Sequence, residues 1–256
     1  MSILNFQKPD KIILQKSTDF DGVFEFKPLE PGFGQTIGNS LRRVLLNSLE
    51  GFAISAIRIG GVDHEFSTIP GVVEDVIEII LNLKQVRLKL QMKDEDIQNE
   101  KIYLTLRGKE QFLSGDIEQF TNVFKVMNPD LLICQMEPSV TLEIELTITK
   151  GRGYVAADEQ PERESVIGVI PVDSIYTPVK NVAYQVSNTR VGQRTDYEKL
   201  TIEVKTDGTI HPEDAVKEAS RILIQHLMLI TDENISFEPI LHYVIISSRL
   251  VVTLTS

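Results

Sequence analysis

The 256-residue chain has no tryptophan, one cysteine, four histidines and no long apolar run. Each shortage removes a class of function. The single Cys134 excludes an intrachain disulfide framework and any multi-cysteine metal site. His64, His211, His226 and His242 have no metal-ligand spacing, so no metal and no cofactor is expected. Without 18 consecutive apolar residues there is no membrane-span signal. The opening MSILNFQKPD lacks the basic flank and apolar stretch of a signal peptide, which makes the cytoplasm the expected compartment. Basic residues are also outnumbered, 26 Lys and Arg against 37 Asp and Glu, for a net charge of -11. A chain of that sign does not grip a phosphate backbone over a broad surface.

What is present is an ordinary globular composition, 42% hydrophobic and 25% charged. The alternation of KIILQ and VFEFK around STDFDG predicts a hairpin over residues 11–27. TIGNSLRRVLLNSLEG predicts a helix, with Thr36 as N-cap and Gly51 as its stop. Ile37, Leu41, Val44 and Leu45 share one side and Leu46 lies off it, so the helix has two partly apolar faces and needs deep burial or a partner. AISAIRI reads as a strand and residues 72–84 as a second helix. VRLKL and KIYLTLR alternate, and VTLEIELTITK alternates most cleanly, with Leu142, Ile144, Leu146 and Ile148 to one side. KLTIEVKTDG is another strand. HPEDAVKEASRILIQHLMLI is the last helix, with Pro212 at its first position and Ala219, Ile222, Leu223 and Leu227 in its apolar sector. The β-branched tail after residue 238 has no evident partner in the chain.

The search for chemistry ends without a catalytic site. Gly32, Gly34 and Gly38 miss the Gly-x-Gly-x-x-Gly spacing by one residue and lack a phosphate-binding lysine, so they read as close-approach positions. Position 68 after His64-Glu65 is threonine where a zinc-peptidase helix needs histidine. Two acidic pairs, Asp75 with Glu78 and Glu213 with Asp214, sit where helix starts favour acids. Arg42-Arg43 reads as surface arginines or as an interface anchor, and Gly151-Arg152-Gly153-Tyr154 as a hairpin tip or a docking loop. Two amphipathic helices far apart in sequence, with a strand-rich middle, point to a protein that assembles with others.

Four segments carry a resemblance: LEPGFGQTIGNSLRRVLLNSLEG at 29–51, GVDHEFSTIPGVVEDVIEIILNLK at 61–84, TKGRGYVAADEQ at 149–160, and the run from Ile170 to Leu227. Together they resemble the N-terminal domain of the bacterial RNA polymerase alpha-subunit family over roughly residues 1–236. The resemblance implies an α+β fold. Its dimerisation part, an antiparallel sheet with two helices, would comprise residues 1–52 and 179–236, interrupted by a mixed, strand-rich insertion at 53–178. It implies a non-catalytic scaffold that homodimerises through Ile37, Leu41, Val44, Leu45, Ala219, Ile222, Leu223 and Leu227. The beta subunit would dock at Arg43 and the beta-prime subunit at Lys84 and Val172, with Arg152 and Tyr154 as a further docking loop. Omega and sigma join the full complex in that family, and its catalytic magnesium belongs to beta-prime. The family pattern ends near Phe237, and residues 237–256 do not match the small helical domain that contacts promoter DNA. Promoter-DNA contact is therefore not assigned to this chain.

Overall fold

The computed structural model describes residues 9, 11–91, 97–160, 168–230, 241–246 and 249–254. In chain order the elements begin with β1 (Lys11–Ser17), β2 (Asp21–Leu29), α1 (Phe33–Asn47), β3 (Glu50–Ile59) and α2 (Val76–Leu83). Next come β4 (Leu88–Leu90), β5 (Asn99–Arg107), β6 (Gln111–Leu113), a 3-10 turn at Ser114–Phe120, β7 (Phe124–Val126), β8 (Leu132–Gln135) and β9 (Thr141–Arg152). The short β10 (Tyr154–Val155), β11 (Val169–Pro171) and β12 (Ser174–Ile175) lead to β13 (Val179–Val191), β14 (Arg194–Thr206) and α3 (Pro212–Met228). The last strands are β15 (Leu241–Ile246) and β16 (Arg249–Leu254). The fold is α+β. It divides into one unit of residues 1–49 with 179–256 and another of residues 50–178.

The first unit is an antiparallel sheet in the order β13-β14-β2-β1-β16-β15, with α1 and α3 packed on it. β2 faces its core with Phe24, paired across to Ile202 of β14. On α1 the residues Gly34, Gly38, Leu41 and Leu45 form the buried stripe, at the three- and four-residue spacings of one helix face. Leu200, Ile202 and Val204 of β14 and Ala215, Val216 and Ala219 of α3 complete this core. The tail, for which no intrachain partner was expected, forms the β15–β16 hairpin, and β16 pairs with β1 from Lys11↔Thr253 to Leu14↔Leu250. An edge strand offers unpaired amides and carbonyls, and a β-branched segment satisfies them well.

The second unit is a sheet in the order β5-β9-β3-β4-β7, with β11 also paired to β3. The alternation of β9 is realised: Leu142, Ile144, Leu146 and Ile148 enter the core while Glu143 stays exposed. α2 lays Val76, Ile79 and Leu83 on that core.

Two helix starts differ from the sequence reading. α1 begins at Phe33, a turn before Thr36, whose hydroxyl instead donates to Gly32 O at 3.1 Å from within the helix. α2 begins at Val76 and not at 72, because Asp75 and Glu78 close a capping box. Gly51 lies inside β3, since the chain leaves α1 at Ser48 and turns directly into the strand.

Candidate functional site

In the second unit, two surfaces expected separately meet in one cluster. The Asp75 side chain accepts the Glu78 amide at 2.8 Å, which fixes where α2 starts and so where its last turn delivers Lys84. The Lys84 ammonium donates to Asp173 Oδ2 at 2.8 Å and lies 5.5 Å from the centre of the Tyr154 ring. Cation and aromatic face attract at such a distance. The other oxygen of Asp173 accepts the Ala157 amide at 2.9 Å. Lys84 and the Ala157 amide together hold the Asp173 carboxyl below its usual range. The Tyr154 ring is more than half exposed, so the cluster presents a cation, an anion and an aromatic to solvent.

Val172 has a different role from the one expected. It adjoins Asp173, but its own side chain is 1% exposed in the core, and its amide donates to Ser55 O at 2.8 Å. In the short link between β11 and β12 Val172 is turned inward, while Asp173 beside it is only partly covered. The surface position is Asp173. Its link to Lys84 spans 89 residues, which no local pattern signals.

Arg152 is tied elsewhere. It donates from Nε to Glu50 at 3.1 Å, and Lys150 reaches the other Glu50 oxygen at 2.8 Å. The hydrogen bonds from Lys150 and Arg152 hold the Glu50 carboxyl below its usual range. These residues, with Gln98 and Gly151, line an open recess of about 240 Å³.

In the first unit, Arg43 is exposed and its guanidinium has no ion-pair or hydrogen-bond partner among the described residues. Its neighbour Arg42 instead donates to Val182 O at 3.1 Å. The eight apolar positions expected at a homodimer divide. Leu41, Leu45 and Ala219 are buried in the core of their own unit, because α1 turns that face onto β13 and β14. These three are covered within their own chain, so the apolar surface left open on the two helices lies at the other positions. Ile37, Val44, Ile222 and Leu223 are partly covered, and Leu227 is 59% exposed. Leu229 and Ile230, absent from the expected set, are exposed by 83% and 77% just past the end of α3.

The glycine-rich start of α1 holds no open phosphate cradle: the Glu198 carboxylate already accepts the amides of Gly32 and Gly34. His64 bonds Ser67, the His211 ring accepts the Glu213 amide, and His226 bonds Ile222 O. Among the described residues no three His, Cys, Asp or Glu side chains gather as a metal site. No helix among them is long and apolar enough to cross a membrane.

Comparison with known proteins agrees with this architecture. The family described as the RNA polymerase Rpb3/RpoA insert domain matches residues 57–177, which puts the second unit in a class of polymerase-subunit domains. The DNA-directed RNA polymerase subunit alpha of Flavobacterium psychrophilum is 58% identical over 238 residues, 93% of this chain and 72% of the relative. That of Cytophaga hutchinsonii is 56% identical over 240 residues, 94% and 72% of the two chains. That of Salinibacter ruber is 45% identical over 227 residues, 89% and 68%. The chain belongs to the DNA-directed RNA polymerase alpha-subunit family, and its role lies in transcription.

Proposed function

We propose that the chain is a non-catalytic scaffold of bacterial DNA-directed RNA polymerase: it homodimerises, and the dimer assembles the beta and beta-prime subunits. The observation that carries the dimer is the uncovered apolar end of α3, where Leu227, Leu229 and Ile230 stand in solvent next to the half-covered Ile222 and Leu223. Burying apolar area returns roughly 25 cal/mol per Å², so such an end favours a partner of like character. A second copy supplies one through a twofold contact, in which the same patch meets itself.

In this reading residues 1–52 and 179–236 form the dimerisation part and 53–178 the inserted docking part. Arg43 is the anchor for beta, since a guanidinium fork with no partner among the described residues, carried on a helix, suits a carboxylate or carbonyl pair on a partner. The Lys84–Asp173–Tyr154 cluster is the beta-prime contact, and Arg152 marks a second loop beside it in sequence. Omega and sigma join the assembled enzyme, which works in the cytoplasm. Nucleotide addition belongs to the complex. Sedimentation equilibrium of the purified chain, followed by reconstitution with purified beta and beta-prime, tests this. A dimer that binds both subunits is expected. A stable monomer, or labelled nucleotide incorporated by the chain alone, overturns it.

A further inference from the structure

The long edge strands of the two sheets are not built alike. β13, one edge of the first unit's sheet, has Lys180 and Arg190, and the carbonyl of its Val182 already accepts Arg42 Nε at 3.1 Å. β5, an edge of the second unit's sheet, has Glu100, Lys101 and Arg107. Charges of this kind keep an edge from pairing with another strand. β15, the other edge of the first sheet, has none: LHYVII contains no lysine, arginine, aspartate, glutamate, proline or glycine. Val244, Ile245 and Ile246 are β-branched and Tyr243 is aromatic, the types that suit a strand. β15 pairs with β16 from Leu241↔Leu254 to Ile246↔Arg249 without a register shift, whereas the β1–β2 and β13–β14 pairs are both interrupted by one or more. Its far side has no strand partner among the described residues. An unbroken, uncharged edge leaves a row of amides and carbonyls open to a further strand.

The charge of the chain favours one occupant. The whole sequence is acidic, with 37 Asp and Glu against 26 Lys and Arg, so two copies repel over most of their surfaces. From Pro239 to Ser256 there is no acid at all and one arginine, Arg249. A contact through this segment lets two copies meet without setting acid against acid. An antiparallel pair of identical strands is also self-complementary, since a twofold rotation presents the same amides and carbonyls in reversed order. A pair of six-residue strands is small, so the link forms at a higher protein concentration than a packed helix contact does.

We infer that β15 is a self-docking edge: the β15 strands of two copies pair antiparallel about a twofold axis and continue one sheet into the other. The link needs neither the scaffold role nor the α3 contact. Where both contacts form, two different twofold links on one chain join dimers into larger assemblies.

The test follows the full chain by sedimentation velocity over about a hundredfold range of concentration. The unaltered chain is expected to form larger species as concentration rises. Val244→Lys and Val244→Glu, each alone, are expected to raise the dissociation constant of those species about tenfold, because like charges meet across the strand pair. An equal mixture of the two variants is the deciding measurement: opposite charges then meet, and the larger species return. Both variants keep a strongly negative net charge, so attraction between whole chains would not bring them together. Removal of residues 239–256, which takes away β15 and β16 together, is expected to abolish the concentration-dependent species whatever the point variants do to the hairpin. Leu227→Asp separates the two contacts, since it weakens the dimer made through α3 and leaves the β15 link at the highest concentration. A size that does not change with concentration overturns the inference, as do a mixture no larger than its components and larger species that persist without residues 239–256. A soluble valine–threonine strand peptide that dissolves the assemblies as well as the β15 peptide does would make the edge a general strand acceptor and overturn it too.

Discussion

The carboxylate of Glu198 holds Gly34: one oxygen accepts the Gly34 amide at 2.8 Å and the other accepts that of Gly32 at 2.8 Å. An α-helix begins with amides that lack intrahelical partners and with a positive dipole end, and an anion satisfies both. Here that anion comes from β14, which pins the start of α1 to the sheet. Glycine is required for this approach, since a Cβ on Gly34 would lie 2.8 Å from Glu198 Oε2 and 2.9 Å from Val186 Cγ1.

Gly34→Ala is therefore expected to destabilise the first unit by about 1–3 kcal/mol, the usual range for forced overpacking. Differential scanning calorimetry would show a melting temperature lower by several degrees. An unchanged melting temperature would mean that α1 can lift from β14 without penalty. The same pinning is why the glycine-rich loop is expected to show no nucleotide binding.

The division of the apolar helix positions gives opposite expectations for two leucines. Leu41 is buried, so Leu41→Asp puts an unpaired carboxylate in the core and costs about 4 kcal/mol or more, giving unfolded or aggregated chain. Leu227 is exposed, so Leu227→Asp leaves the fold intact within about 0.5 kcal/mol and raises the dimer dissociation constant about tenfold or more. Circular dichroism with sedimentation equilibrium separates the two. A Leu227→Asp chain that dimerises normally would move the interface elsewhere.

Acid is expected to loosen the second unit through two carboxylates. Lys84 and the Ala157 amide depress Asp173 from an ordinary value of 3.8, and Lys150 and Arg152 depress Glu50 from 4.5. A lowered folded value means that the native state binds fewer protons than the unfolded chain. The stabilisation is thus fully present above the ordinary values and is lost as pH falls through the lowered ones. Both pairs are partly exposed, which screens them and keeps the effect modest. Urea midpoints measured from about pH 3 to pH 7 are expected to fall less steeply on the acid side in Asp173→Asn and Glu50→Gln than in the unaltered chain. Parallel curves would show that these pairs contribute nothing.

Cys134 is expected to be inert in the native chain. Burial, aided by the charge of Glu74, pushes its thiol up to about 12. At pH 8 the thiolate fraction is then on the order of one in ten thousand. Iodoacetamide is expected to label it in urea and not in buffer, with intact mass as the readout. Rapid native labelling would reveal opening of the β6–β8 strand pair, in which Cys134 is paired with Phe112.

The sequence made some of this legible and hid the rest for identifiable reasons. β9 was readable because alternation is a local signal and its inward residues form a core. The start of α2 was misplaced at Val72 because the apolar run begins there, although Asp75 with Glu78 forms the capping pattern that sets the start at Val76. The start of α1 was not readable, since its anion lies at Glu198, 164 residues from Gly34. Nor could periodicity separate Leu41 and Leu45 from Val44, because both apolar sides of a two-faced helix look alike until the sheet beneath one of them is known. The same limit applies to Val172, where an apolar residue inside stands next to the acid that reaches the surface.

Arg43 provides the sharpest separation of dimerisation from docking. It shares α1 with the core residues Leu41 and Leu45, yet its guanidinium is exposed and has no partner among the described residues. Removing it therefore breaks no bond among the described residues, and Arg43→Ala is expected to keep its melting temperature and its dimer. Truncating an interface arginine of hot-spot type costs about 2 kcal/mol, a roughly thirtyfold loss of affinity for beta. Size-exclusion chromatography of the variant, alone and then mixed with beta, reads both quantities. A monomeric variant would put Arg43 in the dimer contact, and unchanged binding to beta would make it a plain surface arginine. Arg43→Lys adds a check on mechanism. A lysine keeps the charge but loses the planar fork, so it restores little if the contact is bidentate and most of the affinity if only charge matters. Salt dependence then locates the contact: an exposed rim pair weakens steeply with ionic strength, and a buried hydrogen-bonded one far less.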